Sequence, residues 1–226
     1  DFDLDEGTEV DREVMAALIA EIDAAPTIGF YDALASRVVW DEVLTAMAAE
    51  IFIGHWDGYA PTRNNYFLHV DDLDRFTLLP WGTDQTFDYA WPLYDGAGRL
   101  LQRCRGDPTC LDAYTSALSR VVDATVARDF PTELRALARN LQADSDADPR
   151  FSSIDLSAQA ENALAFLAMR IEQVRQELAC QVDPQSDLDG DTRACALDCD
   201  EGDPQRYVGG DDSCVGGAAD GIDNDC

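Results

Sequence analysis

From about residue 181 to Cys226 the chain is nearly stripped of large apolar side chains, and Asp, Gly and Cys dominate. Such a segment cannot close a hydrophobic core, because the apolar area it could bury is too small to offset the chain entropy that folding removes. Any order it has must come from disulfides and bound metal, the alternative being a disordered acidic linker. The core is therefore confined to residues 1–180, with an irregular Cys/Asp-rich tail over 181–226.

Within the first segment the apolar spacing is helical. Val14, Leu18 and Ile22 recur every four residues until Ala25-Pro26 breaks the pattern. Leu34 and Val38, then Val43 or Leu44, Met47 and Ile51, continue it with small alanines between them. The period then changes: Asn65–Val70 and Arg75–Pro80 are aromatic and β-branched runs around the acidic turn Asp71-Asp72-Leu73-Asp74, which predicts an antiparallel hairpin. A loop rich in Trp, Tyr, Gly and Pro covers 80–98, and helical spacing returns over 111–130, 132–142 and 157–180, the last with Leu164, Leu167, Ile171, Val174 and Leu178 on one face. The expected class is α+β, mostly helical, with one small hairpin. Trp56, Trp81, Phe87 and Tyr89 read as packing residues.

Charge narrows the partners. Acidic residues number 45 against 16 basic ones, a formal net charge of -29, and every basic residue is an arginine. A surface of that sign repels nucleic acid and anionic lipid and attracts cations. No run of about 18 apolar residues exists, so no transmembrane segment is expected. Of the seven cysteines, Cys104 and Cys110 flank a turn sequence that a local disulfide could tie, and the other five crowd into 180–226. With no CxxC pair and both histidines far upstream, disulfides in an oxidising compartment are favoured over zinc. The expected location is secreted or cell-surface. The abrupt start, the end on Cys226 and the odd cysteine count predict a longer precursor with missing sequence at both ends. Arg105-Gly106-Asp107 reads as part of the turn rather than an adhesion site.

One stretch carries chemistry: Gly54-His55-Trp56-Asp57-Gly58-Tyr59, then Arg63-Asn64-Asn65-Tyr66-Phe67-Leu68, then Leu79-Pro80-Trp81-Gly82-Thr83-Asp84-Gln85-Thr86-Phe87. A loop presents an Asp and an Asn, and a hairpin returns a second Asp. Phosphoryl transfer uses that set, one carboxylate accepting the proton of the incoming hydroxyl while an amide oxygen and a second carboxylate hold magnesium on the nucleotide phosphates.

In this order, the aromatic-Asp loop, the Asn-Asn-Tyr strand start and the Pro-Trp-x-x-Asp turn followed by Thr-Phe resemble the active-site segment of CotH (spore coat protein H) atypical protein kinases, over roughly residues 28–180. The resemblance implies a kinase-like lobe, ATP, and Mg2+ or Mn2+. It makes Asp57 the catalytic-loop aspartate oriented by His55, Asn65 or its neighbour Asn64 a metal-binding amide, and Asp84 the metal aspartate. The implied activity is transfer of the ATP γ-phosphate to Ser, Thr or another acceptor on a protein or other surface partner. Two departures bear on this. The family's Asp-x-Asp after Pro-Trp begins here with Gly82, and the glycine-rich cover and phosphate-contacting lysine of a small lobe are absent. The alternative is a catalytically inactive CotH-like surface adhesion or structural protein.

The tail places carboxylates at alternate positions, Asp187, Asp189 and Asp191, then Asp198, Asp200 and Asp203, then Asp223 and Asp225 before Cys226. Position twelve counted from Asp187 is Asp198 rather than Glu, so an EF-hand does not fit. The pattern resembles the MopE-type metal-binding repeat of bacterial surface proteins, which implies Ca2+ at these aspartates.

Overall fold

The protein, seen in a computed structural model, is described over residues 9–151, 153–187, 194 and 195. It divides into two compact units, residues 1–168 and 169–226. The first contains α1 (Glu9–Ala24), α2 (Phe30–Ala33), α3 (Trp40–Phe52), α4 (Tyr59–Thr62), β1 (Tyr66–Val70), β2 (Phe76–Pro80), α5 (Arg99–Cys104), α6 (Pro108–Ala127) and α7 (Phe130–Ala147). Helix α8 (Leu156–Val182) begins there and ends in the second unit. Among the described residues the class is mostly helical α+β with a single antiparallel hairpin, as the periodicity predicts.

Helix α3 is the centre of the first unit. Val43, Leu44, Met47, Ala48, Ile51 and Phe52 are each 2% exposed or less, so two adjoining faces of the helix are apolar. One meets α6, whose Tyr114, Ala117, Leu118 and Val122 are buried, and another meets β2. Each fully buried large side chain in such a seam contributes roughly 1.5–3 kcal/mol.

The hairpin pairs Tyr66 with Pro80, Phe67 with Leu79, Leu68 with Leu78, His69 with Thr77 and Val70 with Phe76. Its acidic turn is built by Asp71, whose Oδ1 accepts the amides of Leu73 and Arg75 at 2.9 Å. The Arg75 amide, followed by the Arg75 side chain, holds the Asp71 carboxyl below its ordinary range. A two-stranded hairpin is marginal alone. Here β2 is also anchored on its other side, Val39 N donating to Phe76 O and Phe76 N to Arg37 O.

Asp107 precedes α6 and is 1% exposed, its carboxylate accepting the amides of Gly29 at 3.1 Å and Tyr31 at 2.8 Å. The aspartate of the Arg-Gly-Asp triplet is thus an internal brace, in keeping with the turn reading. Beside it, the Cys104–Cys110 disulfide joins the end of α5 to the first turn of α6.

In the second unit the later part of α8 buries Val174 and Arg170, and Arg170 Nη1 donates to Gln173 Oε1 at 2.6 Å. Cys180 pairs with Cys195, whose amide donates to Ser186 O. Asp187 is exposed. Asp189, Asp191, Asp198, Asp200, Asp203, Asp223 and Asp225 lie outside the described residues. Among the described residues no helix is long and apolar enough to cross a membrane.

Candidate active site

The end of α3 launches the site. Gly54 takes φ 66°, and a Cβ there would lie 2.1 Å from Tyr89 O, so only glycine turns the chain at this point. His55 N donates to Glu50 O at 2.9 Å and Gly58 N to His55 O at 2.9 Å, closing a tight loop with Asp57 on it. The short helix α4 follows and stops at Arg63, which is left-handed at φ 64°. Asn65 is left-handed too, at φ 43°, and from it the chain enters β1.

These turns bring three of the expected residues together. Asp57, half-buried, accepts Asn64 Nδ2 on Oδ1 and Asn65 Nδ2 on Oδ2, both at 2.7 Å. Because each amide uses its NH2 group on the carboxylate, its carbonyl oxygen remains for another partner. The loop after β2 is fixed to the same frame by Trp81 N to Asn65 O at 2.9 Å and Phe87 N to Ile53 O at 2.9 Å. Gly82, at φ 61°, packs so closely on Asn65 that a Cβ would sit 3.0 Å from Asn65 Nδ2.

His55 is fully buried, and its Nε2 lies 3.1 Å from Gly82 O. It therefore joins the Asp57 loop to the loop that carries Asp84. Asp84 is exposed, and among the described residues no hydrogen bond or ion pair ties its carboxylate to Asp57, Asn64 or Asn65.

One residue was not legible as part of this region. Glu50, on α3, is 3% exposed, and its Oε2 accepts the Ala60 amide at 2.8 Å at the start of α4. Burial away from water pushes its carboxyl up to about 7, against the downward pull of the Ala60 and Tyr59 amides. Burial likewise raises the phenols of Tyr59 and Tyr66. A signal existed: Glu50 falls three residues after Met47 and beside Ile51, on the buried side of the helix.

The aromatic residues divide. Phe87 packs edge-on against Phe166 with centroids 5.9 Å apart. Trp56, Trp81 and Tyr89 are 41, 61 and 54% exposed, and Trp81 and Tyr89 pack at the surface, Tyr89 edge-on to Trp91 at 5.6 Å. The register explains Trp81: Phe67 and Leu79 face outward as a cross-strand pair, and the Trp81 ring lies edge-on to Phe67 at 5.5 Å, on the outer face of the hairpin.

Residues 1–132 match the family model of CotH kinase proteins. The chain belongs to the CotH kinase family. The match runs over more than half of the chain and includes the whole Asp57–Asp84 segment, beginning earlier and ending sooner than the expected 28–180. No curated protein matches the chain. Membership in the CotH family supports a kinase-like function and, in general terms, use of a nucleotide and a divalent cation.

The donor set of this CotH chain can be tested against such a cation. Among the described residues no group of three or more His, Cys, Asp or Glu side chains is gathered as a self-sufficient metal cage. Nucleotide-bound magnesium needs none, since it takes most of its oxygens from phosphate and water and only one or two from protein carboxylates. The Asp84 carboxylate and the amide oxygens of Asn64 and Asn65 are donors of the right hardness, so the residues fit the group.

Proposed function

We propose that this chain belongs to a secreted or surface-attached atypical protein kinase that transfers the γ-phosphate of ATP to Ser, Thr or another acceptor. The single observation that supports the reading best is the Asp57 carboxylate held from both sides by Asn64 and Asn65. Two charge-assisted bonds from neutral amides fix the orientation of this carboxylate for accepting a proton.

In this reading Asp57 aligns the acceptor hydroxyl and takes its proton. The acceptor oxygen forms its bond to the γ-phosphorus as the bond from that phosphorus to the β–γ bridging oxygen breaks, and ADP departs with the electron pair. Asp84 and the amide oxygens of Asn65 or Asn64 would hold magnesium or manganese, which neutralises charge on the phosphates. His55 orients the Asp57 loop. The carboxyl-terminal segment, 181–226, is a separate MopE-type tail that binds Ca2+ through Asp187, Asp189, Asp191, Asp198, Asp200, Asp203, Asp223 and Asp225.

A second reading, a CotH-like surface adhesion or structural protein without the chemistry, is favoured by Gly82. It stands where the family's first metal aspartate is expected, in a left-handed conformation. Radiolabel incorporation from γ-labelled ATP with magnesium or manganese separates the two, using the full-length protein and its Asp57→Ala and Asp84→Ala variants. Labelling that disappears in both variants supports the kinase; no labelling by the intact full-length protein supports the inactive reading. For the tail, calorimetric titration with Ca2+ is expected to show binding, and a flat titration would remove that part of the proposal.

A further inference from the structure

Glu50 and His55 form a buried pair that the proposed chemistry leaves unused. Their side chains face each other at 3.9 Å, between His55 Nδ1 and Glu50 Oε1, and Nδ1 is a fully buried nitrogen with no hydrogen-bond partner. The protonation of the ring follows from its other side. Nε2 faces the Gly82 carbonyl at 3.1 Å, and a carbonyl only accepts, so Nε2 carries a hydrogen. A neutral ring then presents a bare lone pair from Nδ1 towards the carboxyl group. A carboxylate facing that lone pair inside the protein would set two acceptors against each other, which burial makes costly. One additional proton on the pair removes the conflict, either as a neutral Glu50 carboxyl or as an imidazolium facing the Glu50 carboxylate across 3.9 Å, an ion-pair distance rather than a hydrogen bond.

We propose that Glu50 is a positioning residue of the site, holding His55 through one shared proton and, through His55, holding the Asp84 loop against the Asp57 loop. The same carboxyl group serves the second loop directly, since its Oε2 takes the Ala60 amide just beyond Gly58. Gly58 backs closely onto the pair: a Cβ there would lie 2.7 Å from His55 Nδ1 and 2.9 Å from Glu50 Cδ, so any larger residue would press on both. The raised affinity of Glu50 for a proton agrees with the sharing. The other titratable group interacting with Glu50 is the phenol of Tyr59, raised chiefly by burial, with Tyr66 and Arg63 acting in turn on Tyr59. The positioning role rests on the kinase reading, whereas the shared proton does not.

The test uses imidazole nitrogen shifts. The chain has two histidines, so a His69→Asn background isolates the signals of His55. Long-range proton–nitrogen spectra are expected to show Nε2 protonated throughout, with the Nδ1 shift reporting a single change as Glu50, raised to about 7, loses its proton. In Glu50→Gln, which can still accept from Ala60, that change should leave this pH range; Glu50→Ala is the more drastic companion. A proton on Nδ1 with a bare Nε2, or an unmoved change in Glu50→Gln, overturns the shared proton. Phosphate transfer by the full-length protein supplies the second readout, with a drop in kcat larger than any rise in KM and an altered pH profile expected in Glu50→Gln. Transfer identical to wild type in rate and pH profile overturns the positioning role while leaving the kinase reading intact. Absence of transfer in wild type overturns the kinase reading, and the role with it, while the nitrogen spectra still decide the shared proton.

Discussion

Asn65 donates its side-chain amide to Asp57 at 2.7 Å while its own backbone sits at φ 43°. A left-handed non-glycine residue costs on the order of 1 kcal/mol or more, so the surrounding bonds must hold it there. Replacing Asn65 with Gly is expected to relieve the backbone and retain the fold, whereas Asn65→Asp sets a second carboxylate against Asp57. Both should reduce phosphate transfer, Asn65→Asp more severely. For comparison, Asp57→Ala should lower kcat by roughly 100-fold to 10,000-fold, the range of a lost general base. Labelling assays with thermal melts would check this, and Asn65→Asp matching wild type would count against the Asp57–Asn65 bond as part of the machinery.

Gly82 makes the same frame sensitive from the other loop. At φ 61°, Gly82→Ala is expected to cost about 1–2 kcal/mol in denaturant unfolding. Gly82→Asp restores the aspartate expected at this position of the family pattern, yet its Cβ would press on Asn65 Nδ2. We expect no gain of transfer from it, and a clear gain would mean that the contact with Asn65 yields easily.

Gly58→Ala tests the packing over the buried pair. With backbone φ at -91° the substitution carries no conformational penalty, so its effect reports space alone. Overpacking should destabilise by about 1–3 kcal/mol. An unfolding midpoint within error of wild type would show that Glu50 and His55 move aside freely.

Stability should depend on pH through Glu50. Its folded-state value, raised from 4.5 to about 7, means that the folded chain binds more protons than the unfolded one between those values. This contribution is fully present below about pH 4.5 and is lost as pH rises through about 7, amounting to roughly 3 kcal/mol. The lowered carboxyls of Asp71, Asp148 and Glu161 act oppositely and at more acid pH. The discriminating quantity is therefore the unfolding free energy of wild type minus that of Glu50→Gln, which should fall steadily as pH rises from 4.5 to about 8.

Removing the Cys104–Cys110 link by a double serine substitution is expected to cost about 2–3 kcal/mol, the loop-entropy value for so short a loop. Both sulfurs are fully buried, so serine hydroxyls there would lack water, and the loss should lie at the upper end. A melt unchanged by reductant in the intact protein would contradict this.

Much of the architecture was legible because period and composition act over long windows. Leu18 and Ile22 on α1, the Phe67–Leu79 alternation in the hairpin and the stripe on α8 all announce themselves. The four-residue α4 and the six-residue α5 did not, since one turn carries no period and each forms only because neighbouring loops hold it. Asp57, Asn64 and Asn65 were legible as a group from their order. Glu50 was not, because a charged residue within a helix reads as solvent-facing until the packing of its neighbours is known. The exposure of Trp56, Trp81 and Tyr89 was not legible, since large aromatic side chains suggest burial and only the hairpin register puts Trp81 on the outer face.

The loop from Trp81 to Phe87 is fastened at its first residue to Asn65, at Gly82 to His55 and at its last residue to Ile53. A segment stapled at three points within seven residues has little slack, and displacing Asp84 by a swing would require several of these bonds to open together. Control of such a centre by moving that segment in and out is thereby disfavoured. In the proposed kinase, these bonds fit control by supply, that is, by whether nucleotide, cation and acceptor reach a frame already set in place.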